Sequence, residues 1–566
     1  MIGIVFDGIF YMNSIIKSFS EHGTFVQPDT LEYILSKENP KEFTSFITKN
    51  LQEFPLILTL NQVKQIENIS QVETLPVEPI KSQEVKEIQT KMYSEIFGGE
   101  IKSVILEEND LEFDDPDKED QIKLPDEKIE ESIPHVIDIK KVKGWKPKAK
   151  EYDSEIEIIK DITGNSVCEG TTDDFTKLFV DRYSVLRNIL RKQRRELANA
   201  IPIDRAKKSD FKEIQIVGIV KEVRTTSNGH RLIELEDESD TATCIALKDN
   251  RDILNMANEV VLDEVIGIRG QLSKNGDLVV IKNVVYPDIS IQNERHKSDV
   301  SLYAAFLSDI HIGSKQFMED EWQSFLRWIN GEMGNSRQKD VAGKIKYLVI
   351  PGDVVDGIGI YPQQDKELSI VDVYRQYEAL ADQLRLIPDH ISMIIQPGNH
   401  DAVRPAEPQP TFEKEIQDLF SGMNMNFVGN PCYFSLHGVE VLSYHGQSLL
   451  DYATNIQHLK YNEPVEIMKV MLRKHHLAPI YGGYTPLAPE HLDYMVINRI
   501  PDIFVTGHVH LAQISDYRGI TLINASSWQT QTSYQKMLNF VPDSGKLPIV
   551  NLKSGNVTMM DFSKKF

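Results

Sequence analysis

Apolar residues change their spacing three times along this chain, and each change predicts a different kind of element. Tyr33, Ile34, Phe43, Phe46, Ile47 and Leu51 recur at helical spacing after a Pro28-Asp29-Thr30 start signal, with a break at Glu38-Asn39-Pro40. This predicts a small helical N-terminal module over residues 1–70. Thr172, followed by Asp173 and Asp174, reads as a helix N-cap, and Phe175, Leu178, Phe179, Leu186, Ile189 and Leu190 share one face of a helix within 171–200. Its last turns carry Arg187, Arg191, Lys192, Arg194 and Arg195, which suit either the negative end of the helix dipole or a phosphate contact. From Phe211 to about Val285 the period becomes two and β-branched residues dominate, with Asn228-Gly229 and Asn275-Gly276 as type I′ hairpin signals. Five strands, with a helix-like segment near 250–258, predict a Greek-key barrel of the OB type over 201–297. Aromatics are almost absent between Phe211 and Tyr286, which favours packing or protein contact over base stacking. From Ser301 onward apolar strands alternate with helical stretches, the pattern of an α/β layered domain. The fold class is therefore multidomain, α/β plus β.

Composition adds a segment that the periodicity does not show. Residues 107–131 hold 13 Asp or Glu against three Lys, so about 75–170 reads as an acidic disordered linker. Its far end is Lys-rich: six lysines between Ile139 and Lys150 surround Trp145, either a solvated segment or an arm for nucleic acid or an acidic partner. The apolar start is interrupted by Asp7 and lacks preceding Lys or Arg, and Cys168, Cys244 and Cys432 are too far apart for a disulfide framework or a CxxC zinc site. A cytoplasmic protein with no membrane span is expected. The 566-residue chain carries a net charge of −23, which at face value argues against binding phosphate. Residues 301–566 account for only −7 of it, and two divalent ions would bring that part to about −3.

The chemistry lies in five polar loops, each after an apolar strand. They hold Asp309-Ile310-His311, Gly352-Asp353-Val354-Val355-Asp356-Gly357, Gly398-Asn399-His400-Asp401, His445-Gly446 and Gly507-His508-Val509-His510. In a layered α/β domain the C-terminal ends of strands share an edge, so residues distant in sequence converge there. Two Asp, one Asn and four His without Cys suit Mn²⁺, Fe²⁺ or Zn²⁺ rather than thiolate-bound metals. Seven ligands exceed the needs of one ion. Shared through a bridging carboxylate, they suit a two-metal arrangement for displacement at phosphorus. A D-x-H or a lone histidine after a strand is usually structural; the five loops in this order are not explained that way.

This order of motifs resembles the calcineurin-like metallophosphoesterase superfamily over about residues 301–515. Gly357 directly after Asp356, and Asp401 after His400, separate it from the Ser/Thr phosphatase branch. The run Gly398 to Pro410, the barrel upstream and the closing LNFVPDSGKLPIVNL resemble the small subunit of archaeal family D DNA polymerase over about 170–566. The resemblance implies a two-sheet α/β metallophosphoesterase (exonuclease) domain over 298–566. It implies Asp309, His311 and His510 on one metal, Asn399, His445 and His508 on the other, and Asp353 as bridge. His400 would be the general acid oriented by Asp401, and Arg404 a phosphate contact or a structural ion pair. It further implies a metal-dependent 3′–5′ exodeoxyribonuclease, favouring Mn²⁺ over Fe²⁺, Zn²⁺ or Mg²⁺, that proofreads DNA 3′ ends within a DNA-directed DNA polymerase complex beside a large polymerising subunit. The spacing used by clamp-binding peptides fails at Gln535, where Val541 and Pro542 fall at the aromatic positions, so a sliding clamp would be met only through the complex. Two other readings use the same residues: a non-catalytic scaffold with a vestigial metal site, and a phosphatase or phosphodiesterase of small substrates.

Overall fold

The computed structural model describes residues 25–26, 30, 33–34, 37, 40–50, 57–58 and 63, then 132–564 apart from 141, 210–211, 274–277 and 362. Two compact units divide at Asp110. In the first, β1 (Phe25–Val26) pairs in parallel with β2 (Ile57–Leu58), and α1 (Pro40–Asn50) lies between them in sequence. Pro40 opens α1 where the break was expected, because a first-turn residue needs no hydrogen-bonded N–H. The strand pair was not expected from the helical spacing. Residues 75–131 of the expected linker lie outside the described residues.

In the second unit, the far end of that linker is corrected by the structure. β3 (Ile156–Lys160) pairs antiparallel with β13 (Cys432–Leu436), and the Glu155 N–H donates to Tyr347 Oη at 2.8 Å. Trp145 lies against the chain at Gly331 and Gly343, and its indole N–H donates to the Lys339 carbonyl at 3.4 Å. The Lys-rich segment is thus a strap fixed at its tryptophan. Next comes α2 (Thr172–Gln193), whose cap is Thr171 rather than Thr172: Thr171 and Asp174 form a reciprocal capping box. Mid-helix, Arg182 is buried, with Nε 2.6 Å from Asp493 Oδ2 and Nη1 bonded to the carbonyls of Asp263 and Pro479.

A short α3 (Ile203–Lys207) leads into β4 (Glu213–Thr225), β5 (Arg231–Glu236) and β6 (Thr241–Ala246); α4 (Arg251–Asn258), β7 (Val265–Leu272) and β8 (Leu278–Val285) follow. The five strands close into a barrel in the order β4-β5-β6-β8-β7 around an aliphatic core that includes Ile216, Ile233, Leu235, Ile266 and Ile281. At the first hairpin Gly229 has φ +81° and Asn228 does not join it in the left-handed region, so the expected type I′ turn does not form. The second, at Asn275-Gly276, lies outside the described residues.

The remaining elements are β9 (Tyr303–Phe306), α5 (Glu319–Ile329), α6 (Ser336–Ala342), β10 (Ile345–Pro351), α7 (Val373–Leu384), β11 (Ser392–Gln396), α8 (Lys414–Asp418), β12 (Met425–Phe427), β13, β14 (Val439–Ser443), α9 (Leu449–Asn455), α10 (Pro464–Lys474), β15 (Ile503–Thr506), β16 (Gln513–Tyr517), β17 (Ile520–Asn524), α11 (Ser533–Met537), β18 (Lys546–Asn551) and β19 (Val557–Asp561). One sheet runs β12-β11-β10-β9-β18-β19 and the other β16-β17-β15-β14-β13-β3. All residues of β10, β11, β14, β15 and β17 are buried, as expected of strands covered on both faces. Phe306, Tyr347, Val349 and Ile394 of the first sheet meet Phe434, Val441, Val505 and Ile523 of the second in one core. Helices α5 and α7 cover the outer face of the first sheet through Trp322, Phe325 and Leu380, and α9 and α10 cover the second through Tyr452, Met468 and Met471. The result is a helix–sheet–sheet–helix stack. Among the described residues no helix is long and apolar enough to cross a membrane.

Candidate metal centre

All five polar loops leave the C-terminal ends of parallel strands: β9, β10 and β11 in one sheet, β14 and β15 in the other. The seam between the sheets therefore brings them to one place. Their backbones are strained, since Asp309, His311, Asp353, His508 and His510 all have φ between +50° and +68°. Non-glycine residues in that region cost of order 1 kcal/mol or more and persist only where surroundings hold them. The glycines are there for proximity. A Cβ on Gly398 would lie 2.2 Å from Asp353 Oδ1, and one on Gly507 2.4 Å from Asp309 Oδ2.

The side chains form three overlapping triads: Asp309, His311 and His510; His311, Asp353 and His400; and Asp353, His445 and His508. Within each triad the donor atoms lie within 4.8 Å of one another. Asp353 is the hinge of the arrangement. Its Oδ1 accepts the His400 N–H at 2.9 Å, while its Oδ2 lies 3.3 Å from His445 Nε2 and 3.9 Å from Nε2 of both His311 and His400. The Nε2 atoms of His311 and His510 face each other at 3.0 Å, with Asp309 Oδ1 3.4 Å from the latter. Asn399 Oδ1 joins on the other side, 3.0 Å from His445 Nε2. Thus the structure brings together all seven residues expected as ligands, together with His400.

What orients them differs in part from expectation. Asp401 does not touch the His400 ring: its carboxylate accepts from the Gly398 N–H at 2.8 Å and from Tyr377 Oη at 3.2 Å, so it fastens the loop. The His400 ring is held instead through Nδ1, which donates to the Asp356 carbonyl at 2.8 Å. Likewise His445 Nδ1 donates to the Pro351 carbonyl at 2.9 Å. A carbonyl can only accept, so both rings direct Nε2 into the cluster. Asp356, to which the sequence pattern assigned no role, places Oδ1 3.0 Å from His311 Nδ1, and is itself held by Gln529 and Gln364. Gln535 on α11 lies 3.1 Å from His510 Nδ1. The second Asp of the G-D-x-x-D-G loop was a visible signal for Asp356; nothing local marked Gln535. Arg404 is taken up by Glu490 at 2.9 Å, by Ser166 Oγ at 2.8 Å and by the carbonyls of Ala406 and Pro408, the structural ion pair that was one of its two expected roles.

The electrostatics show what the cluster needs. Burial pushes Asp353 upward, but His445 and His400 outweigh it and hold the carboxyl well below its usual range; Asp309 is also lowered, against its burial, by His510. Burial works downward on His445, yet Asp353 beside it holds the ring up at about 10. His508, by contrast, is pushed down to about 3 by burial and by His445. For His400, Asp353 and Asp356 overcome burial and leave the ring raised. Burial and Asp353 raise Asp401 to about 7. Buried acids kept ionised, with imidazole nitrogens gathered round them, form a site that calls for positive charge. Neutral imidazoles, carboxylates and an amide are the donor set of a borderline-to-hard divalent cation, so these groups could hold a metal.

Comparison with known proteins gives the chain its relatives. The family model for the B-subunit of DNA polymerase alpha/epsilon matches residues 304–515, the span that contains all five loops. The chain is 42% identical over 407 residues to the DNA polymerase II small subunit of Methanocaldococcus jannaschii, covering 71% of this chain and 68% of that one. It is 45% identical over 394 residues to the protein of that description from Archaeoglobus fulgidus, covering 70% and 78%, respectively. The corresponding figures for Methanothermobacter thermautotrophicus are 41% over 414 residues, covering 73% and 84%.

Proposed function

This chain belongs to the family of DNA polymerase II small subunits, and from that premise we propose that it is the proofreading subunit, a metal-dependent 3′–5′ exodeoxyribonuclease acting beside a large polymerising subunit. The observation that carries the proposal is the shared carboxylate: Asp353 belongs to two of the three donor triads and presents one oxygen to three imidazoles. Asp309, His311 and His510 would hold one divalent ion, Asn399, His445 and His508 the other, with Asp353 between. Mn²⁺ is the first choice, with Fe²⁺, Zn²⁺ or Mg²⁺ as alternatives. Two such ions, when bound, neutralise a phosphodiester and lower the pKa of an attacking water.

The protein's own part is positioning and proton transfer. With Nδ1 fixed on the Asp356 carbonyl, the His400 ring carries its transferable proton at Nε2 and delivers it to the leaving 3′ oxygen. Asp356 and Gln535 hold the outer nitrogens of His311 and His510, which fixes the rings. The barrel and α2, on this reading, serve as support and as contact for the large subunit.

The test is release of label from a 3′-labelled primer, single-stranded or mismatched, by the purified full chain with Mn²⁺. Asp353→Ala and His400→Ala are run beside it. The wild type should release label and the variants should be slower by roughly 10² or more. Equal and negligible release from all three would sink the proposal.

A further inference from the structure

The His400 side of the metal centre is bordered by aromatic and aliphatic side chains that the cleavage chemistry does not use. Tyr361 lies with its ring 6.5 Å from that of His400 and stacks on Tyr534 at 5.9 Å with an interplanar angle of 23°. Tyr534 is 47% exposed and Met537, one turn along α11, is 77% exposed. On the facing loop, Ile358 is 50% exposed and Ile360 38%. This border is not loose. Gln535, between Tyr534 and Met537, is tied to His510, Thr532 caps the helix, and Gln376 fixes Gly357 through both its N–H and its carbonyl. Large apolar side chains left in water beside a buried polar site mark a binding surface.

We propose that the Tyr361–Tyr534 stack, with Met537, Ile358 and Ile360, is a platform that takes unpaired nucleobases at the 3′ end of the strand being cleaved. This rests on the exonuclease reading above and adds the side chains that would receive the bases of its substrate. The chemistry fits. Every base has a π-face, so stacking accepts any sequence, as an enzyme removing whichever nucleotide was misplaced must do. A base within a duplex is already paired and stacked, and withdrawing it costs a few kcal/mol, least at a mismatch. The platform therefore selects frayed or single-stranded 3′ ends over paired ones without reading sequence.

The experiment uses the full chain with Mn²⁺ and three probes: a single-stranded oligonucleotide, the same oligonucleotide with abasic terminal nucleotides, and bis(p-nitrophenyl) phosphate, which has a diester but no base. In the wild type the abasic strand should show a KM roughly tenfold above that of the base-bearing strand. Tyr534→Ala should close that gap and Tyr534→Phe should keep it. Because Tyr534 is exposed, its replacement does not threaten the fold, and circular dichroism checks this. A wild type that cleaves base-bearing and abasic strands with equal KM, or a Tyr534→Ala variant with the gap intact, overturns the platform alone. A wild type that cleaves neither DNA nor the small diester overturns the nuclease reading, and the platform with it.

Discussion

Asp356 shows how a residue can matter to a candidate metal centre without being one of its donors. Its Oδ1 lies 3.0 Å from His311 Nδ1 and its own oxygens are held by two glutamines, so it sets the angle at which His311 presents Nε2. Substituting Asp356→Asn keeps the shape and removes the charge that supports the imidazole. Loss of such an outer partner typically lowers metal affinity 10- to 100-fold. Calorimetric titration of the variant with Mn²⁺ should show a loss of about that size with the far-UV spectrum intact; wild-type affinity would mean that His311 needs no such support. At this scale the sequence was informative about donors and, Asp356 apart, silent about their partners. Asp309, His311, Asp353 and the rest stand out because strand, glycine and ligand type coincide in the chain. The partnership of Gln535 with His510 is tertiary and leaves no local trace.

Among the elements, α2 does most to join the parts of the second unit. Leu186 and Leu190 pack with Val217 and Val265 of the barrel, while Arg182 reaches Asp493 in the two-sheet part and the Asp263 carbonyl beside β7. Both charged side chains are 1% exposed. Removing Arg182 leaves the Asp493 carboxylate buried with only the His476 ring, 3.0 Å away, and the Met495 N–H to meet it, so Arg182→Met should lower stability by about 3–5 kcal/mol. A second change, Asp493→Asn, should recover part of that loss, and urea melts of the two variants would expose any failure to do so. The apolar face of α2 was readable from its spacing, but Arg182 in its middle looked like one more basic residue. β3 was missed for a related reason: five residues in a stretch rich in acids and lysines carry no lasting period, and only β13 beside them makes a strand. The adjacent threonines at the start of α2 could not be separated either, since the choice of Thr171 depends on where Asp174 points.

For the whole molecule, the position of the candidate centre at the seam of two sheets would tie metal binding to folding. Loops from both sheets supply each side of the cluster, so an ion held there bridges them and binds the folded chain alone. Mn²⁺ at 100 times its dissociation constant should then stabilise the protein by about 2.7 kcal/mol. The melting temperature should rise accordingly, fall back on chelation and not respond in Asp353→Ala; a variant with the full shift would place the ion elsewhere. The net charge of −23 gave no hint of this, because charge summed over a chain says nothing of where the ligands converge. The five left-handed residues Asp309, His311, Asp353, His508 and His510 carry one more consequence. Glycine at any of them would relax the backbone while deleting a donor, and all five sit on loops rather than in the sheets. On the nuclease reading, a lineage that ceased to need cleavage would gain backbone relief by exchanging these residues for glycine, while the sheets, which hold none of the five, would persist.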